Sequence, residues 1–309
     1  MTLAEKRQAH ASGALAKHDY IAEMHRSHAL LFEYPALMAG TDIGRIEISE
    51  GGVVMTFGQS GVRMLCDPHD QRIAPIETLN FGQYEHEEFQ IVRRAVSPGS
   101  TVLDVGANYG WYALHIAKMV PGVKVLAFEP IPHTYSYLCQ NIRLNDALNV
   151  EAHNFGISEQ AGEVVFYFCD DSSGSASAAN IGERADATKI VCPVDTLDHV
   201  AESRQLKVDF IKVDVEGAEL LVFRGAQRLL AEQRPAILAE MLRKWSAKFN
   251  YHPNQIIALL ASIGYRCYEI QGGRLRHLPQ MREDTAATNF VFLDADKHQH
   301  LRRELAAGD

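Results

Sequence analysis

Acidic side chains and glycines follow apolar stretches of this 309-residue chain at the places where strands should end. The first such place is Thr101-Val-Leu-Asp-Val-Gly-Ala-Asn-Tyr-Gly110. A carboxylate buried at Asp104 needs donors, either backbone amides of the turn or polar groups of a ligand. Gly106 and Gly110 allow positive φ, which Asn108 between them also tolerates, so the backbone can pass close to a ligand. The pattern predicts a buried strand, a tight turn and a helix that together form a nucleotide site.

The next predicted strand ends in Ala127-Phe-Glu-Pro130, which places Glu129 across the crevice from the glycine turn. Its carboxylate can accept two hydrogen bonds from a ribose diol. A dinucleotide site would require Gly-x-Gly-x-x-Gly, but Asn108 stands where the second glycine belongs. The spacing therefore favours S-adenosylmethionine over NAD, and an NAD-binding oxidoreductase stays the alternative. The predicted cofactor site consists of Asp104, Gly106, Ala107, Asn108, Gly110, Glu129 and Pro130, with Asn154 and Phe155 as candidates for the adenine pocket.

A second group of carboxylates follows two later strands. Asp214 and Glu216 come after Val208-Asp-Phe-Ile-Lys-Val, and Glu240 ends Ala236-Ile-Leu-Ala. Ligands of open α/β sheets bind outside the carboxyl ends of the strands, so a methyl acceptor is expected here. Transfer from a sulfonium needs in-line alignment, a base for the hydroxyl proton and exclusion of water. The candidate catalytic residues are Asp214, Glu216, Glu240 and His133, and the oxygens of Asp214 and Glu240 would also suit Mg²⁺ or another divalent cation.

The chain resembles the FkbM family of S-adenosylmethionine-dependent methyltransferases from about Met64 to Leu293. The resemblance implies a doubly wound methyltransferase fold, S-adenosylmethionine as donor, and methylation of a hydroxyl on a sugar or natural product. It rests on five blocks of sequence: Gly82-Gln-Tyr-Glu-His-Glu-Glu88, Thr101-Val-Leu-Asp-Val-Gly-Ala-Asn-Tyr-Gly110, Ala127-Phe-Glu-Pro130, Val194-Asp-Thr-Leu-Asp198 and Asp209-Phe-Ile-Lys-Val-Asp-Val-Glu-Gly217.

The elements that must position these residues form an α/β fold. We expect a doubly wound, mostly parallel, seven-stranded methyltransferase sheet with Rossmann-like topology and an antiparallel last strand near 288–293. Residues 1–80 should form an N-terminal extension of amphipathic helices followed by a small β region, serving as a lid or a contact in a homo-oligomer. Residues 81–309 should form the methyltransferase domain.

Two segments beside the predicted site attract attention. The helix that begins near Tyr84 precedes the first core strand, so His86 and Glu87 could approach the cofactor. The segment 170–180 is dominated by Ser, Ala and Gly and cannot build a core of its own. It is predicted to be a mobile lid or substrate loop.

Composition narrows the function classes. The formal charge of −9, with Lys and Arg scattered along the chain, argues against a nucleic-acid partner. No apolar run approaches the roughly 18 residues that span a bilayer, and the start lacks the apolar core of a signal peptide, so the cytoplasm is expected. The five cysteines contain no close pair, which indicates neither a disulfide framework nor a zinc site. A small-molecule or saccharide acceptor remains, with stacking aromatics available at Tyr84, Tyr109, Trp111, Tyr135 and Trp245. A non-catalytic partner protein that kept the fold is a further alternative.

Overall fold

The computed structural model describes residues 1–306, which form a central sheet, two small sheets and flanking helices. The strands are β1 (Ile43–Ser49), β2 (Gly52–Phe57), β3 (Arg63–Cys66), β4 (Thr101–Val105), β5 (Lys124–Phe128), β6 (Val150–His153), β7 (Gly156–Ile157), β8 (Gly162–Phe168), β9 (Thr188–Asp195), β10 (Phe210–Val213), β11 (Ala236–Glu240), β12 (Tyr265–Gln271), β13 (Arg274–His277) and β14 (Asn289–Asp294).

The α-helices are α1 (Leu3–Ala11), α2 (Lys17–His28), α3 (Tyr34–Met38), α4 (Ala74–Phe81), α5 (His86–Ala95), α6 (Trp111–Met119), α7 (Pro132–Leu144), α8 (Leu197–Ser203), α9 (Glu219–Arg224), α10 (Gln227–Gln233), α11 (Arg243–Ser246), α12 (Asn254–Ala261) and α13 (Gln299–Leu305). Short 3₁₀ turns occur at Ala29–Phe32, Ser173–Ser175 and Ala247–Phe249.

The central sheet has the strand order β13-β12-β14-β11-β10-β4-β5-β6. Its strands β6, β5, β4, β10 and β11 are parallel, and β14 runs antiparallel between β11 and β12. The predicted doubly wound sheet with an antiparallel last strand is therefore confirmed. The hairpin strand β13 pairs with β12 and adds an eighth strand at this edge.

The parallel strands are apolar on both faces because helices cover both sides of the sheet. One face packs Leu103, Leu126, Ile211 and Ile237 into a single core, and the residues beside them in sequence pack into the other core. This alternation fixes the register, since a slip by one residue would exchange the two cores. Within that register Asp104 of β4 pairs with Lys212 of β10, so two charged residues meet in the middle of the sheet.

The chain leaves β4 toward β5 and β6 on one side of the sheet, and β10 and β11 are added on the other side. Such a reversal leaves a crevice outside the carboxyl ends of the two central strands, and ligands of open sheets bind there. The turn after β4, the turn after β5 and the exit of β10 all reach this crevice. The topology thus brings together the three segments in which the sequence predicted chemistry.

The N-terminal region contains helices and a small β region, as the sequence predicted. Strands β1, β2 and β3 form an antiparallel sheet. The helices α1, α2 and α3 bury none of their residues, and Leu31 and Phe32 between α2 and α3 are exposed. Its role as a lid or an oligomer contact stays a prediction. Among the described residues, no helix is both long and apolar enough to cross a membrane.

Candidate active site

A cavity of about 420 Å³ opens at the carboxyl ends of the central strands. One wall, called here the donor wall, consists of the turn after β4 and Glu129 with Pro130 after β5. The opposite wall, called the acceptor wall, consists of the carboxyl ends of β10 and β11, the residues that follow β10, and the segment before α5. The residues that line the acceptor wall are Tyr84, Glu85, Lys212, Asp214, Val215, Glu216 and Glu240.

The donor wall is built on a turn whose backbone is in close contact with its neighbours. Gly106 has φ of 78°, and a Cβ added there would lie 1.8 Å from the carbonyl oxygen of Asp214. The amides of Gly106 and Ala107 both donate to the carbonyl of Phe128 at 3.0 Å. Asn108 has φ of 49°, a left-handed conformation that asparagine tolerates. The turn is therefore clamped between β5 and β10, which explains the need for glycine at position 106.

Glu129 faces the cavity from the donor wall, as predicted. Its two carboxylate oxygens accept hydrogen bonds from the amides of Ile131 at 2.9 Å and Asn108 at 3.0 Å. Burial raises the pKa of Glu129 to about 7, although both amide bonds favour the ionised form. Each oxygen keeps a second lone pair, so the side chain can still accept hydrogen bonds from a diol.

Asp104 is buried, as the sequence predicted, and it does not line the cavity. It is completely buried beside Lys212, and neither of its carboxylate oxygens has a hydrogen-bond partner. Burial raises its pKa to about 6, and the positive charge of Lys212 opposes this rise. Asp104 is thus an electrostatic partner beneath the donor wall in this structure. Direct contact with a cofactor stays a prediction.

Three carboxyl groups converge on the acceptor wall, as the strand ends predicted. Oxygens of Asp214, Glu216 and Glu240 lie within 4.8 Å of one another. Lys212 donates to Asp214 across 2.9 Å from its ammonium nitrogen. Burial and the nearby charge of Asp214 raise the pKa of both Glu216 and Glu240. Like charges this close cannot all ionise in a buried site, so the cluster holds protons at neutral pH.

Lys212 is the cation of this cavity floor. Burial opposes its charge, but Asp214, Asp104 and Glu85 together raise its pKa above the usual value, so the side chain stays an ammonium. Its nitrogen also lies 5.1 Å from the centre of the Tyr112 ring. The pairing of Lys212 with Asp214 is local, because the two residues are two positions apart in the chain. Its pairing with Asp104 of β4 depends on sheet order, which the local pattern does not contain.

The segment before α5 contributes different residues from those expected. His86 and Glu87 are exposed, and Glu87 accepts a hydrogen bond from the amide of Gly273 at the sheet edge. Tyr84 and Glu85 line the cavity instead. Glu85 accepts a hydrogen bond from the hydroxyl of Tyr112. Both residues lie in the block Gly82–Glu88 that carries the family resemblance, and this was the signal that could have identified them.

His133 lies outside the cavity lining. Its Nε2 is 2.6 Å from the carboxylate of Asp67, which also accepts a hydrogen bond from the hydroxyl of Tyr109 at 3.2 Å. In this position His133 does not line the cavity, and its role as a catalytic base stays a prediction. Its contacts join α7 to the loop after β3, which is a structural arrangement.

The two candidates for the adenine pocket also lie outside the cavity lining. Asn154 donates to the carbonyls of Glu129 at 2.9 Å and Pro130 at 3.0 Å, and it thereby supports the turn that carries Glu129. Phe155 packs against Phe128, with ring centres 5.4 Å apart. Their part in binding an adenine stays a prediction.

The segment predicted to be a lid lies over the cavity. Residues 172–176 line it, and the amide of Ser173 donates to Asp70 at 3.0 Å. The side chain of Asn108 in the glycine turn donates to the Ser173 hydroxyl at 3.2 Å, and the Ser177 hydroxyl donates to the carbonyl of Glu216 at 2.7 Å. The loop is thus attached to both walls of the cavity, while its mobility stays a prediction.

The open side of the cavity carries aromatic and basic side chains. Trp245 and Lys244 lie beyond β11, and the Lys244 nitrogen sits 4.0 Å from the centre of the Trp245 ring. Arg72 reaches the same cavity from the loop after β3. Of the aromatics expected to be available for stacking, Tyr84, Tyr109, Trp111 and Trp245 line the cavity, whereas Tyr135 bonds to the carbonyl of Ala152 elsewhere.

The fold and the cavity define a methyltransferase domain, with a glycine turn after the first core strand, a carboxylate after the second and acidic residues across the cleft. The chain belongs to the FkbM methyltransferase family: residues 104–267 match the model described as the Methyltransferase FkbM domain. The match covers the donor wall and the acidic strand ends, but it begins after Glu85.

Two relatives are similar to part of the chain. Methyltransferase sdnD of Sordaria araneosa is 31% identical over 153 residues, which cover 40% of this chain and 59% of that protein. Hexuronic acid methyltransferase AglP of Haloferax volcanii is 28% identical over 149 residues, which cover 47% of this chain and 58% of that protein. The chain thus spans less than two thirds of the length of these relatives.

Among solved structures, the FkbM methyltransferase of Methylobacillus flagellatus is 18% identical to this chain with a TM-score of 0.42. The alignment covers 74% of this chain and 56% of that protein.

Proposed function

We propose that the chain is an S-adenosylmethionine-dependent O-methyltransferase that acts on a hydroxyl group of a sugar or another small molecule. The observation that carries the proposal is the single cavity that joins the donor wall to a cluster of three carboxyls. A site of this kind can hold a donor against one wall and present an acceptor hydroxyl from the other. Holding the two together supplies much of the rate acceleration in such displacements.

On the donor wall, Glu129 would accept hydrogen bonds from the ribose hydroxyls, and the backbone from Gly106 to Asn108 would lie against the donor. S-Adenosylmethionine would supply an electrophilic methyl group on a positively charged sulfur. Buried carboxylates suit such a ligand, and the unpartnered oxygens of Asp104 beneath the wall support the fit because they favour a nearby positive charge.

On the acceptor wall, Asp214 would orient the acceptor hydroxyl while one of its oxygens accepts a hydrogen bond from Lys212. Glu216 and Glu240, which hold protons, can donate hydrogen bonds to other hydroxyl oxygens. The loop 172–176 would exclude water. A saccharide acceptor is supported by Trp245 in the cavity lining, since an aromatic face suits a sugar ring, and by the similarity to AglP, a hexuronic acid methyltransferase.

A divalent cation at Asp214 and Glu240 stays a prediction. Their oxygens are close enough to share an ion, and oxygen ligands suit Mg²⁺. Lys212 already supplies one positive charge to Asp214, which reduces the need for a metal. Activity that is lost after dialysis against EDTA and restored by MgCl₂ would support the cation. Activity that dialysis leaves unchanged would support Lys212 as the positive charge beside Asp214.

The donor is tested by isothermal titration of the full chain with S-adenosylmethionine, with its demethylated product and with NADH. We expect binding of the first two, weakened in Glu129→Gln and unchanged in Glu163→Gln, a matched change at an exposed position. Binding of NADH alone would support an oxidoreductase. Binding of none would support a non-catalytic partner protein.

The acceptor is tested by transfer of a tritiated methyl group from S-adenosylmethionine to D-glucuronic acid, D-galacturonic acid, L-rhamnose and catechol. Labelled methyl ethers identify oxygen as the nucleophile. A base-labile methyl ester on a uronic acid, or label on an added amine, would contradict ether formation. We also propose a cytoplasmic location, which the free cysteines support and fractionation tests.

A further inference from the structure

We propose that Glu85 is the general base that takes the proton from the acceptor hydroxyl. The inference rests on the proposed methyl transfer and adds a catalytic residue to it. Glu85 lies before α5, outside the part of the chain that matches the family domain, and it reaches the same cavity as Asp214 and Lys212. A base must lie within hydrogen-bond reach of the reacting hydroxyl, so its place in the cavity wall is the first requirement.

The side chain of Glu85 is held in a defined orientation. The hydroxyl of Tyr112, at the start of α6, donates to one of its carboxylate oxygens, Oε2. The other carboxylate oxygen keeps its lone pairs free to accept the hydroxyl proton of the methyl acceptor. Tyr112 itself lines the cavity, and its ring lies beneath the Lys212 ammonium. The same tyrosine therefore contacts the proposed base and the cation of the cavity floor.

The backbone at Glu85 adopts a strained conformation. Its φ of 40° and ψ of 44° are left-handed, where a side chain with a Cβ is disfavoured by about 1 kcal/mol or more. Glycine would relieve this strain, and Gly82 is used for a positive φ three residues earlier. Strained residues of this kind concentrate at functional sites. The conformation turns Glu85 into the cavity while the following residues His86 and Glu87 remain exposed.

The charged groups around Glu85 leave it ready to exchange a proton near neutral pH. Burial raises its pKa to about 7, Lys212 lowers it and Asp214 raises it. Smaller effects come from Tyr112 and Glu88, and the charge of Glu85 in turn raises the pKa of Tyr84 and Glu240. A base works best when its pKa lies near the working pH.

The other carboxyls of the acceptor wall are less suited to this role. Asp214 is paired with Lys212 at 2.9 Å, so one of its oxygens is already occupied by the ammonium. The raised pKa of Glu216 and of Glu240 leaves both protonated at neutral pH. Glu85 is the carboxyl on this wall that is anchored by a neutral hydroxyl and titrates near pH 7.

Methyl transfer forms one bond to the methyl carbon and breaks another. A lone pair of the acceptor oxygen forms the new C–O bond to the methyl carbon, while the C–S bond breaks and its electrons return to sulfur. The sulfonium becomes a neutral thioether. The hydroxyl proton passes to the carboxylate of Glu85, which leaves the reaction as a carboxylic acid and later releases the proton to water.

The first experiment compares Glu85→Gln with Glu87→Gln in the full chain, using whichever of the four named acceptors the wild type methylates best. We expect Glu85→Gln to bind S-adenosylmethionine with unchanged affinity in the calorimeter but to lose about 10²- to 10⁴-fold in kcat. The wild-type rise of kcat/KM through pH 7 should also disappear. Glu87→Gln, the matched control on the exposed side of the same segment, should keep wild-type rate and pH profile.

The second experiment uses Tyr112→Phe and does not depend on the folding of Glu85→Gln. Because the Tyr112 hydrogen bond lowers the pKa of Glu85, its removal should move the activity rise to higher pH. Carboxyl-¹³C glutamate labelling should show one resonance that is missing from the Glu85→Gln spectrum, and this resonance should titrate near pH 7 in the wild type and at higher pH in Tyr112→Phe. The resonances of Glu129 and Glu219, whose pKa values are also raised to about 7, should remain in Glu85→Gln. This readout is independent of turnover.

Retained kcat and an unchanged pH profile in Glu85→Gln would overturn the assignment, as would an unmoved profile in Tyr112→Phe. If the wild type binds the donor and transfers the methyl group, and Glu85→Gln transfers it at the same rate, only the role of Glu85 is disproved. A wild type that neither binds nor transfers disproves the proposed function, and the role of Glu85 with it.

Discussion

The donor wall and the acceptor wall of one cavity are built in different ways. The donor wall depends on backbone packing within a short segment, where Gly106 leaves no room for a Cβ against Asp214. The acceptor wall depends on side chains from separate segments. Glu85 comes from the segment before α5, Asp214 follows β10, and Glu240 is the last residue of β11. Added side-chain volume should disrupt the donor wall, whereas a change of pH should alter the charge of the acceptor wall.

The largest effect should come from a methyl group added to the donor wall. Gly106→Ala places a Cβ 1.8 Å from a backbone oxygen at positive φ, so we expect a loss of about 4 kcal/mol or more in the free energy of unfolding. Gly99→Ala is the matched control, because its φ is 79° and no atom lies within 4 Å of the added Cβ. It should cost only about 1–2 kcal/mol. Equal losses in urea unfolding would remove the contrast between the walls.

The next effect concerns the charge on the donor wall. Glu129→Gln keeps the volume and one acceptor oxygen but loses charge-assisted hydrogen bonds to the ribose. We expect the affinity for S-adenosylmethionine in calorimetry to fall by about 10- to 100-fold, the equivalent of about 1.5–3 kcal/mol. An unchanged affinity would mean that the donor lies elsewhere in the cavity.

Stability should fall as pH rises, because buried carboxyls hold protons in the folded state. The pKa of Glu129 is raised from 4.5 to about 7, and that of Glu219 likewise. Their stabilising effect is therefore fully present below pH 4.5 and is lost as pH rises through 7. Urea unfolding at pH 5, 6, 7 and 8 should show this decline in the free energy of unfolding. In Glu129→Gln the decline should be shallower by about 1 kcal/mol per pH unit. An unchanged slope in Glu129→Gln would show that Glu129 is ionised in the folded protein over this range.

The smallest effect should come from the loop that joins the two walls. Asp70→Asn weakens the hydrogen bond that the Ser173 amide makes to the carboxylate. A loss of about 1 kcal/mol would increase trypsin cleavage after Arg184 about fivefold under native conditions. Asp284→Asn, an exposed change outside this loop, serves as the control. If donor binding then protects the loop equally in all variants, its attachment to Asp70 plays no part in closure.

The donor wall could be predicted from the sequence because its residues are adjacent in the chain. The glycines, Asn108 and Glu129 follow strands whose apolar pattern is plain, and the strand order of such folds brings them together. Asp104 was placed correctly as a buried residue of the strand, and its contact with a cofactor stays a prediction. Its depth depends on the pairing with Lys212, which comes from a distant strand.

The acceptor wall could be predicted only in part. The convergence of Asp214, Glu216 and Glu240 follows from neighbouring parallel strands. Glu85 could not be chosen over Glu87 from helix periodicity, because its left-handed backbone lies outside the helix. The contact of His133 with Asp67 could not be predicted, because Asp67 comes from the N-terminal region, whose path over the domain no local pattern records.

The surplus of acidic groups around the cavity has a consequence for turnover. Its lining includes Glu77, Glu85, Glu129, Asp214, Glu216 and Glu240 against the cations Arg72, Lys212 and Lys244. The proposed donor arrives with a positive sulfur, and the spent molecule leaves without that charge. Because the pKa values of Glu85 and Glu129 are raised to about 7, the chamber becomes more negative as pH rises through 7, and it then attracts the first more strongly than the second. The preference for fresh over spent donor would then grow as pH rises through 7, with Glu85 and Glu129 setting its range.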